Sequence, residues 1–214
     1  CYGFRSGDGE FARCTREEYA GNLSQETSTE SYVHRLTGDC HCGKRHDPSI
    51  PAATNGTRDR GRIVATYGYT DEDGTLLFQV VRYEPKGFSQ RRPDGNGGWI
   101  PNLQGVRIVL YRLHELVSAP LDRYVFIAEG EKDVDRLASL GLIATCNPMG
   151  AKKWRDELSV YLSERKVAIL PDNDTAGRVH AEQVAASLDG IAASVRIVTL
   201  PDLPDKGDVS TWLD

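Results

Sequence analysis

The chain has 214 residues, 39% of them hydrophobic and 27% charged, with a formal net charge of −5. That length allows one large domain or two small ones, the composition is that of an ordinary globular protein, and the acidic balance excludes a wholly basic nucleic-acid binder. No apolar run approaches the roughly 20 residues that cross a bilayer, and no leader pattern opens the chain, so a cytoplasmic protein without a membrane segment is expected. Starting at Cys1 rather than Met and stopping directly after VSTWL, it reads as a piece of a longer polypeptide.

Residues 1–60 are polar, with little apolar periodicity, and hold four of the five cysteines: Cys1, Cys14, Cys40 and Cys42. DPSIPAATNGTRDRG (47–61) reads as a linker. RIVATYGYTDEDGTLLFQVVRY (62–83) places two β-rich runs on either side of DEDG, a hairpin signal. KGFSQRR and GGWI add short strands, and RIVLYRL (107–113) follows. From residue 124 strands and helices alternate. YVFIA is a strand and EKDVDRLASLG a helix ending at Gly141; LIATC is a strand and KKWRDELSVYLS a helix. KVAIL is a strand and DTAGRVHAEQVAASL a helix; SVRIVTL is a strand and DVSTWL a short last helix. The strands read as apolar on both faces, as in a parallel sheet covered on both sides by helices.

Charge divides along the same line. Arg58 to Arg112 carries nine Lys/Arg against six Asp/Glu, whereas Leu121 to Asp214 carries eleven against sixteen. A basic part joined to an acidic part suits an enzyme that grips a polyanion with one and binds cations with the other; chance variation on solvated faces is the bland alternative.

Sites in open parallel α/β sheets form beyond the carboxyl ends of the strands, and three of these strands end in acids. The first leads to Glu129, with Asp133 about one helical turn on. The third leads to Asp172 and Asp174, and the fourth, through TLPDLPDKGD, to Asp205 and Asp208. Singly, these residues are explained as helix caps: Asp172 or Asp174 for one helix, Asp208 for the last, Glu131 and Asp133 for a helix start. Three sets at one sheet edge instead suggest an oxygen-only site with open positions, which suits Mg²⁺ or Mn²⁺.

FIAEGEKDVDRLASLG, LPDNDTAGRVHA and LPDLPDKGDVSTWL together resemble the TOPRIM domain of bacterial-type primases, type IA and II topoisomerases and some nucleases. The match covers residues 122–213: the Glu-Gly step (Glu129, Gly130), the Asp-x-Asp pair (Asp172, Asp174) and a late Lys-x-Asp element (Lys206, Asp208). VLYRLHELVSAPLDRYVFIAEGEKDVDRL is similar to the segment by which primases enter their first TOPRIM strand, and YGYTDEDGTLLFQVVRYEPKGFSQRR resembles the hairpin-and-basic segment of phage and mobile-element primases. KGDVSTW departs from the KDPDEF usual in bacterial primases, which leaves the third ligand's register between Asp208 and Asp205.

The resemblance implies an α/β fold in three parts: an N-terminal arm (1–60) able to bind zinc, a small β-rich basic subdomain (61–121), and a TOPRIM catalytic domain (122–214) with a parallel sheet and flanking helices. It implies a DNA primase, a nucleotidyltransferase making short RNA primers on single-stranded DNA by two-metal chemistry. Asp172 and Asp174 lead as ligands of Mg²⁺ or Mn²⁺, with Asp208 third and Asp133 fourth. Glu129 either binds metal or acts as general acid/base, and Gly130 permits close backbone approach. Arg82, Lys86, Arg91 and Arg92, near Phe88 and Trp99, fit template and ribonucleoside triphosphates, with Lys132 beside them; a solubilised hairpin turning at DGNGG is the plainer alternative. CHCGKRH (40–46) points to Zn²⁺ on Cys14, Cys40 and Cys42, the fourth ligand being Cys1, His34, His41 or His46. Reduced, unligated thiols are the alternative, and Cys146 reads as an inert core residue. Primases also imply a replicative helicase, as partner or linked domain. A DNA-clamping recombination mediator of the RecR kind and a TOPRIM nuclease are the rival readings; no helix-hairpin-helix motif supports the former.

Overall fold

A computed structural model describes residues 10–14, 17–26, 31–36, 38–43, 45–46, 61–85 and 87–214. All of the linker read at 47–61 except Gly61, together with Cys1, Lys86 and the side chain of His46, lies outside them. The chain divides into two compact units, Cys1–Asp59 and Arg60–Asp214.

In the first unit, β1 (Phe11–Cys14) pairs antiparallel with β2 (Tyr32–Arg35), setting Ala12 opposite His34 and Cys14 opposite Tyr32. A 3-10 turn, Glu17–Tyr19, follows β1. β3 (Gly38–Asp39) and β4 (Arg45–His46) form a second small ribbon. Its connecting turn carries Cys40 and Cys42 and is closed by the Gly43 amide donating to the Cys40 carbonyl at 3.0 Å. The 20–23 segment backs against this turn. A Cβ at Gly21, where φ is +56°, would stand 2.2 Å from the Cys42 carbonyl oxygen, so only glycine fits.

The second unit opens with the expected hairpin, β5 (Arg62–Thr70) and β6 (Leu76–Glu84). Its turn is set by Asp71, whose carboxylate accepts the amides of Asp73 (3.1 Å) and Thr75 (2.8 Å), with Gly74 at φ +85°. β7 (Gly87–Pro93) and β8 (Trp99–Ile100) complete an antiparallel sheet of order β5-β6-β7-β8. The DGNGG segment turns the chain between them, Asp94 accepting the amides of Asn96 and Gly98, each at 2.8 Å. Residues 107–112 join no ladder of this sheet. They run against the next one, with the Tyr111 amide on the Cys146 carbonyl (2.9 Å) and the Thr145 hydroxyl on the Tyr111 carbonyl (2.7 Å). They lead into α1 (Leu113–Ser118), which the sequence did not announce.

β9 (Tyr124–Ile127), α2 (Glu131–Ser139), β10 (Ile143–Thr145), β11 (Lys166–Ile169), α3 (Thr175–Ser187), β12 (Ser194–Ile197) and α4 (Val209–Leu213) build the expected α/β half. The four strands are parallel in the order β10-β9-β11-β12. In β11, Val167, Ala168 and Ile169 are buried in succession, as a central strand covered on both faces requires. β12 is different: at the edge, Ile197 is 44% exposed. α2 ends as expected, Gly141 taking φ +76° just beyond it.

The helix expected over KKWRDELSVYLS is instead a 3-10 helix confined to Asp156–Leu162. Lys152 stands at φ +63° and Arg155 is extended, so no α-helix can propagate through them. The buried Trp154 indole donates to the Ser159 and Ser187 hydroxyls, both at 3.2 Å, fixing the segment against α3.

Tyr67, Tyr69, Phe78 and Val80 of the antiparallel sheet share one core with Val125, Ile127, Val134, Val167 and Val184 of the α/β half. Tyr69 stacks on Phe78 with ring centroids 4.5 Å apart. Its hydroxyl donates to Glu131 at the start of α2 at 2.8 Å.

Candidate active site

The strand order creates the site. From β9 the chain crosses to β10 on one side, and from β11 to β12 on the other. A crevice therefore opens where these crossovers part, beyond the carboxyl ends of β9 and β11. Glu129 follows β9 by two residues and Asp172 follows β11 by three. The loop after β12 brings in Asp208, and α2 contributes Asp133.

These acids meet around Asp172. Burial, and then the charges of Glu129, Asp133, Asp208 and Asp174, push its carboxyl from the ordinary 3.8 up to about 7. Asp205 is exposed, whereas Asp208 is half-buried and its charge acts on Asp172. The cluster is open. Among the described residues, no three carboxylates bring ligand atoms within 4.8 Å of one another. An octahedral ion that keeps several waters and takes one or two carboxylates suits such spacing.

Each acid also has local work. Asp174 caps α3, accepting the Gly177 amide at 2.7 Å. Asp208 caps α4, one oxygen accepting the Thr211 amide and hydroxyl, both at 2.7 Å. Its other oxygen takes the Lys132 ammonium at 2.8 Å. Burial would raise the Asp208 carboxyl, but Lys132 and Thr211 hold it below its ordinary range. Asp133, 6% exposed, accepts the Ser210 amide (3.2 Å) and hydroxyl (2.5 Å), yet burial still raises it. Gly130 is the extended N-cap of α2, and a Cβ there would come 3.4 Å from Asp133 Oδ2.

Three supporting residues escaped the sequence reading. Asn173, between the two aspartates, grips the 201–208 loop. Its side chain donates to the carbonyls of Leu203 (2.8 Å) and Pro204 (3.1 Å), and its backbone exchanges bonds with Lys206 and Gly207. Gly177 lets α3 approach the Asp172 backbone, since a Cβ would stand 2.6 Å from the Asp172 carbonyl oxygen. Ser210 holds Asp133, as above. The only sequence signal for these was their place inside the DND, AGR and VSTW segments.

The basic residues divide between two faces of the antiparallel sheet. Cross-strand partners share a face and alternate along each strand. Arg82 pairs with Phe88, and Arg92 lies on that same face with Tyr67 and Tyr69. Arg82 hydrogen-bonds Tyr67, and its charge reaches Glu131 and Lys132. Arg91 lies on the other face, donating to Gln79 at 3.0 Å, with its guanidinium 4.1 Å from the centre of the Trp99 ring. Arg82 and Arg92 therefore share one face and Arg91 takes the other.

In the N-terminal unit, His34, Cys40 and Cys42 are all buried, with ligand atoms within 4.8 Å of one another. His34 Nδ1 and Cys40 Sγ are 3.8 Å apart. This soft, three-donor set fits zinc and leaves one tetrahedral position to a fourth ligand. Cys14 is buried at the end of β1, outside that group, and His41 is exposed. Cys146 is fully buried among apolar residues, which pushes its thiol well above its ordinary range, as suits an inert core residue.

No family model matches the chain, and no curated protein does. Solved structures do. The catalytic core of DnaG matches at 21% identity over 69% of this chain and 47% of that one, with a TM-score of 0.51. A DnaG primase catalytic domain bound to single-stranded DNA matches at 20% identity over 92% and 54%, also at 0.51. A DNA primase domain from Pseudomonas aeruginosa matches at 22% identity over 88% and 51%, with a TM-score of 0.50. The fold is that of the DnaG-type primase catalytic core. The chain spans about half the length of these primase structures.

Proposed function

We propose that this chain is the catalytic core of a DNA primase of the phage or mobile-element kind, a nucleotidyltransferase that makes short RNA primers on single-stranded DNA. The observation that carries the reading is the convergence of Glu129, Asp133, Asp174 and Asp208 on Asp172 at the switch point of a parallel sheet. Mutually repelling carboxylates at a strand-tip crevice are stabilised by divalent cations, and an all-oxygen donor set selects Mg²⁺ or Mn²⁺. Bound there, such ions would activate a 3′-hydroxyl and stabilise the departing pyrophosphate.

The chain's own residues do the rest. Asp172 and Glu129, the carboxylate whose charge acts most strongly on it, would take the first ion. Asp174 turns one oxygen to its helix and keeps the other for the site. Lys132 and Arg82 set positive charge beside the acids, where triphosphate oxygens would lie. Arg92 and Phe88, on the Arg82 face, extend that surface toward a template strand through charge and stacking. Ribonucleoside triphosphates are the expected substrates, and a replicative helicase the expected partner.

The test is incubation with single-stranded template, labelled ribonucleotides and Mg²⁺. Primers are expected from the wild type. Asp172→Asn, which keeps the shape and removes the charge, should lower their yield about 10²–10³-fold with an unchanged far-UV spectrum. Bound but unextended DNA, as for a recombination mediator, or cut DNA, as for a nuclease, would overturn the reading. So would normal primer yield from Asp172→Asn.

A further inference from the structure

Four loops leave the carboxyl edge of the parallel sheet, and they differ in charge. Those after β9, β11 and β12 deliver the acids described above. The loop after β10, CNPMGAKK (146–153), has no carboxylate and ends in the exposed Lys152 and Lys153. It starts beside the acids: Thr145 pairs with Ile127, two residues before Glu129, and the charges of Glu131 and Asp133 act on Cys146. Met149 (φ +78°), Gly150 (+71°) and Lys152 (+63°) take left-handed backbone, a strained course that holds only because the loop is pinned. The Asn147 side chain, 1% exposed, donates to the carbonyls of Pro148 (3.1 Å) and Gly150 (2.9 Å). The Lys152 amide donates at 3.2 Å to Nδ1 of His180, which is 4% exposed. The buried Trp154 follows, bonded to Ser159 and Ser187. His180 stands on α3 six residues beyond Asp174, about 9 Å along the helix. Two lysines, neither paired with a carboxylate among the described residues, thus stand on a fixed backbone beside the acidic crevice.

We propose that the 146–153 loop is the subsite for the outer phosphates of a nucleoside triphosphate, with Lys152 and Lys153 as its phosphate ligands and His180 as the residue that positions them. The proposal rests on the primase reading and specifies how its nucleotide is held. The inner phosphates of a triphosphate need cations between them and the acids. The terminal phosphate, lying beyond those cations, needs a surface that is basic and free of carboxylates, which would repel it. Of the four loops at this edge, 146–153 is the one with that composition. Hydrogen bonds from an ammonium to a phosphate are among the strong ones, and a pinned backbone reduces the ordering cost of making them. His180 accepts through Nδ1, so its proton sits on Nε2. Burial lowers its basicity, which keeps the ring neutral and the acceptor available. The backbone of a DNA strand offers similar oxygens but no terminal phosphate, so the two ligands can be told apart.

Equilibrium dialysis of the full chain against labelled ATP with Mg²⁺, beside labelled AMP and a labelled single strand of DNA, tests this. Lys152→Gln combined with Lys153→Gln should weaken ATP at least about tenfold and leave AMP and DNA unchanged. In primer synthesis the same variant should show its loss in the KM for ATP. Arginine at both positions should restore ATP binding. Lys166→Gln, an equal change of charge at the start of β11, should alter none of the three ligands. His180→Leu removes the acceptor of the Lys152 amide; it should weaken ATP when the lysines are present and add nothing when they are absent. Undiminished ATP binding in the double variant, an equal weakening of DNA, or an equal effect of Lys166→Gln would overturn the inference and leave the primase reading standing. Absence of primers from the wild type would overturn that reading, and the inference with it.

Discussion

At the scale of single residues, Asp172 ties the site to pH. Its carboxyl, at about 7 in the fold, lies above the 3.8 it has when exposed. Between these values the folded state holds a proton that the unfolded chain has released. The contribution to stability is therefore complete below about pH 4 and is lost as pH rises through 7. A chain stripped of divalent ions should melt lower at pH 8 than at pH 6, and added Mg²⁺ should raise the melting temperature more at pH 8. Asp172→Asn should abolish most of that difference and melt above the wild type in chelator at pH 8. Scanning calorimetry in the two buffers checks the sign. Gly177 offers a second case. Alanine improves helix propensity by about 1 kcal/mol, but its Cβ would lie 2.6 Å from a backbone oxygen of Asp172. Overpacking against backbone costs about 1–3 kcal/mol, so Gly177→Ala should destabilise on balance. Because it moves Asp172, it should lower primer yield about 10²-fold, more than its stability loss accounts for.

At the scale of elements, the loop between β12 and α4 is held in place from two sides. Asn173 binds its carbonyls, and the Trp212 indole returns from α4 to the Pro201 carbonyl at 3.0 Å. Asn173→Ala removes the bonds to Leu203 and Pro204 while leaving both flanking aspartates. Divalent affinity should fall about 10–100-fold, with α3 intact by circular dichroism. Much of this layer was legible in advance. The strand tips, the acids and both capping aspartates follow from apolar runs that end in LPDND or PDKGD. The 3-10 segment was not, because its pattern of Leu158 and Leu162 suits an α-helix. What prevents one is the left-handed Lys152 and the anchoring of Trp154, both of which depend on α3. The split of Arg82 and Arg92 from Arg91 was hidden for a related reason. Which face a residue takes follows from the β6–β7 register, and ordering RR in sequence says nothing of it. The Lys132 ion pair was hidden too, because its partner Asp208 lies 76 residues away.

At the scale of the whole molecule, two kinds of donor set, one soft and one all-oxygen, are divided between two compact units. The His34, Cys40 and Cys42 group belongs to Cys1–Asp59, the carboxylates to Arg60–Asp214. Emission analysis of purified protein should find one zinc per chain, lost in Cys40→Ser and in His34→Ala. Stripping it should unfold the first unit, whose small core needs such support, while the second keeps its melting transition. The second unit's two sheets share a core through Tyr69 and Phe78. Template binding should follow the Arg82 face: Arg92→Ala should weaken it and flatten its salt dependence by roughly one phosphate contact. Arg91→Ala, on the opposite face, should chiefly loosen Trp99. Fluorescence anisotropy at several salt concentrations separates the two. Among the described residues no helix is long and apolar enough to cross a membrane.

Asp174 and Asp208 begin helices with the same carboxylates that they turn toward the crevice. The amide protons of Gly177 and Thr211 are consequently resonances wired to the site. Any cation that draws density from those carboxylates must weaken the two hydrogen bonds, and chemical shift and solvent exchange at both positions will register it. A two-dimensional amide spectrum thus gives a site-resolved occupancy meter: Gly177 reports the Asp174 side and Thr211 the Asp208 side. Ions at the proposed site would be counted position by position, without any measurement of turnover.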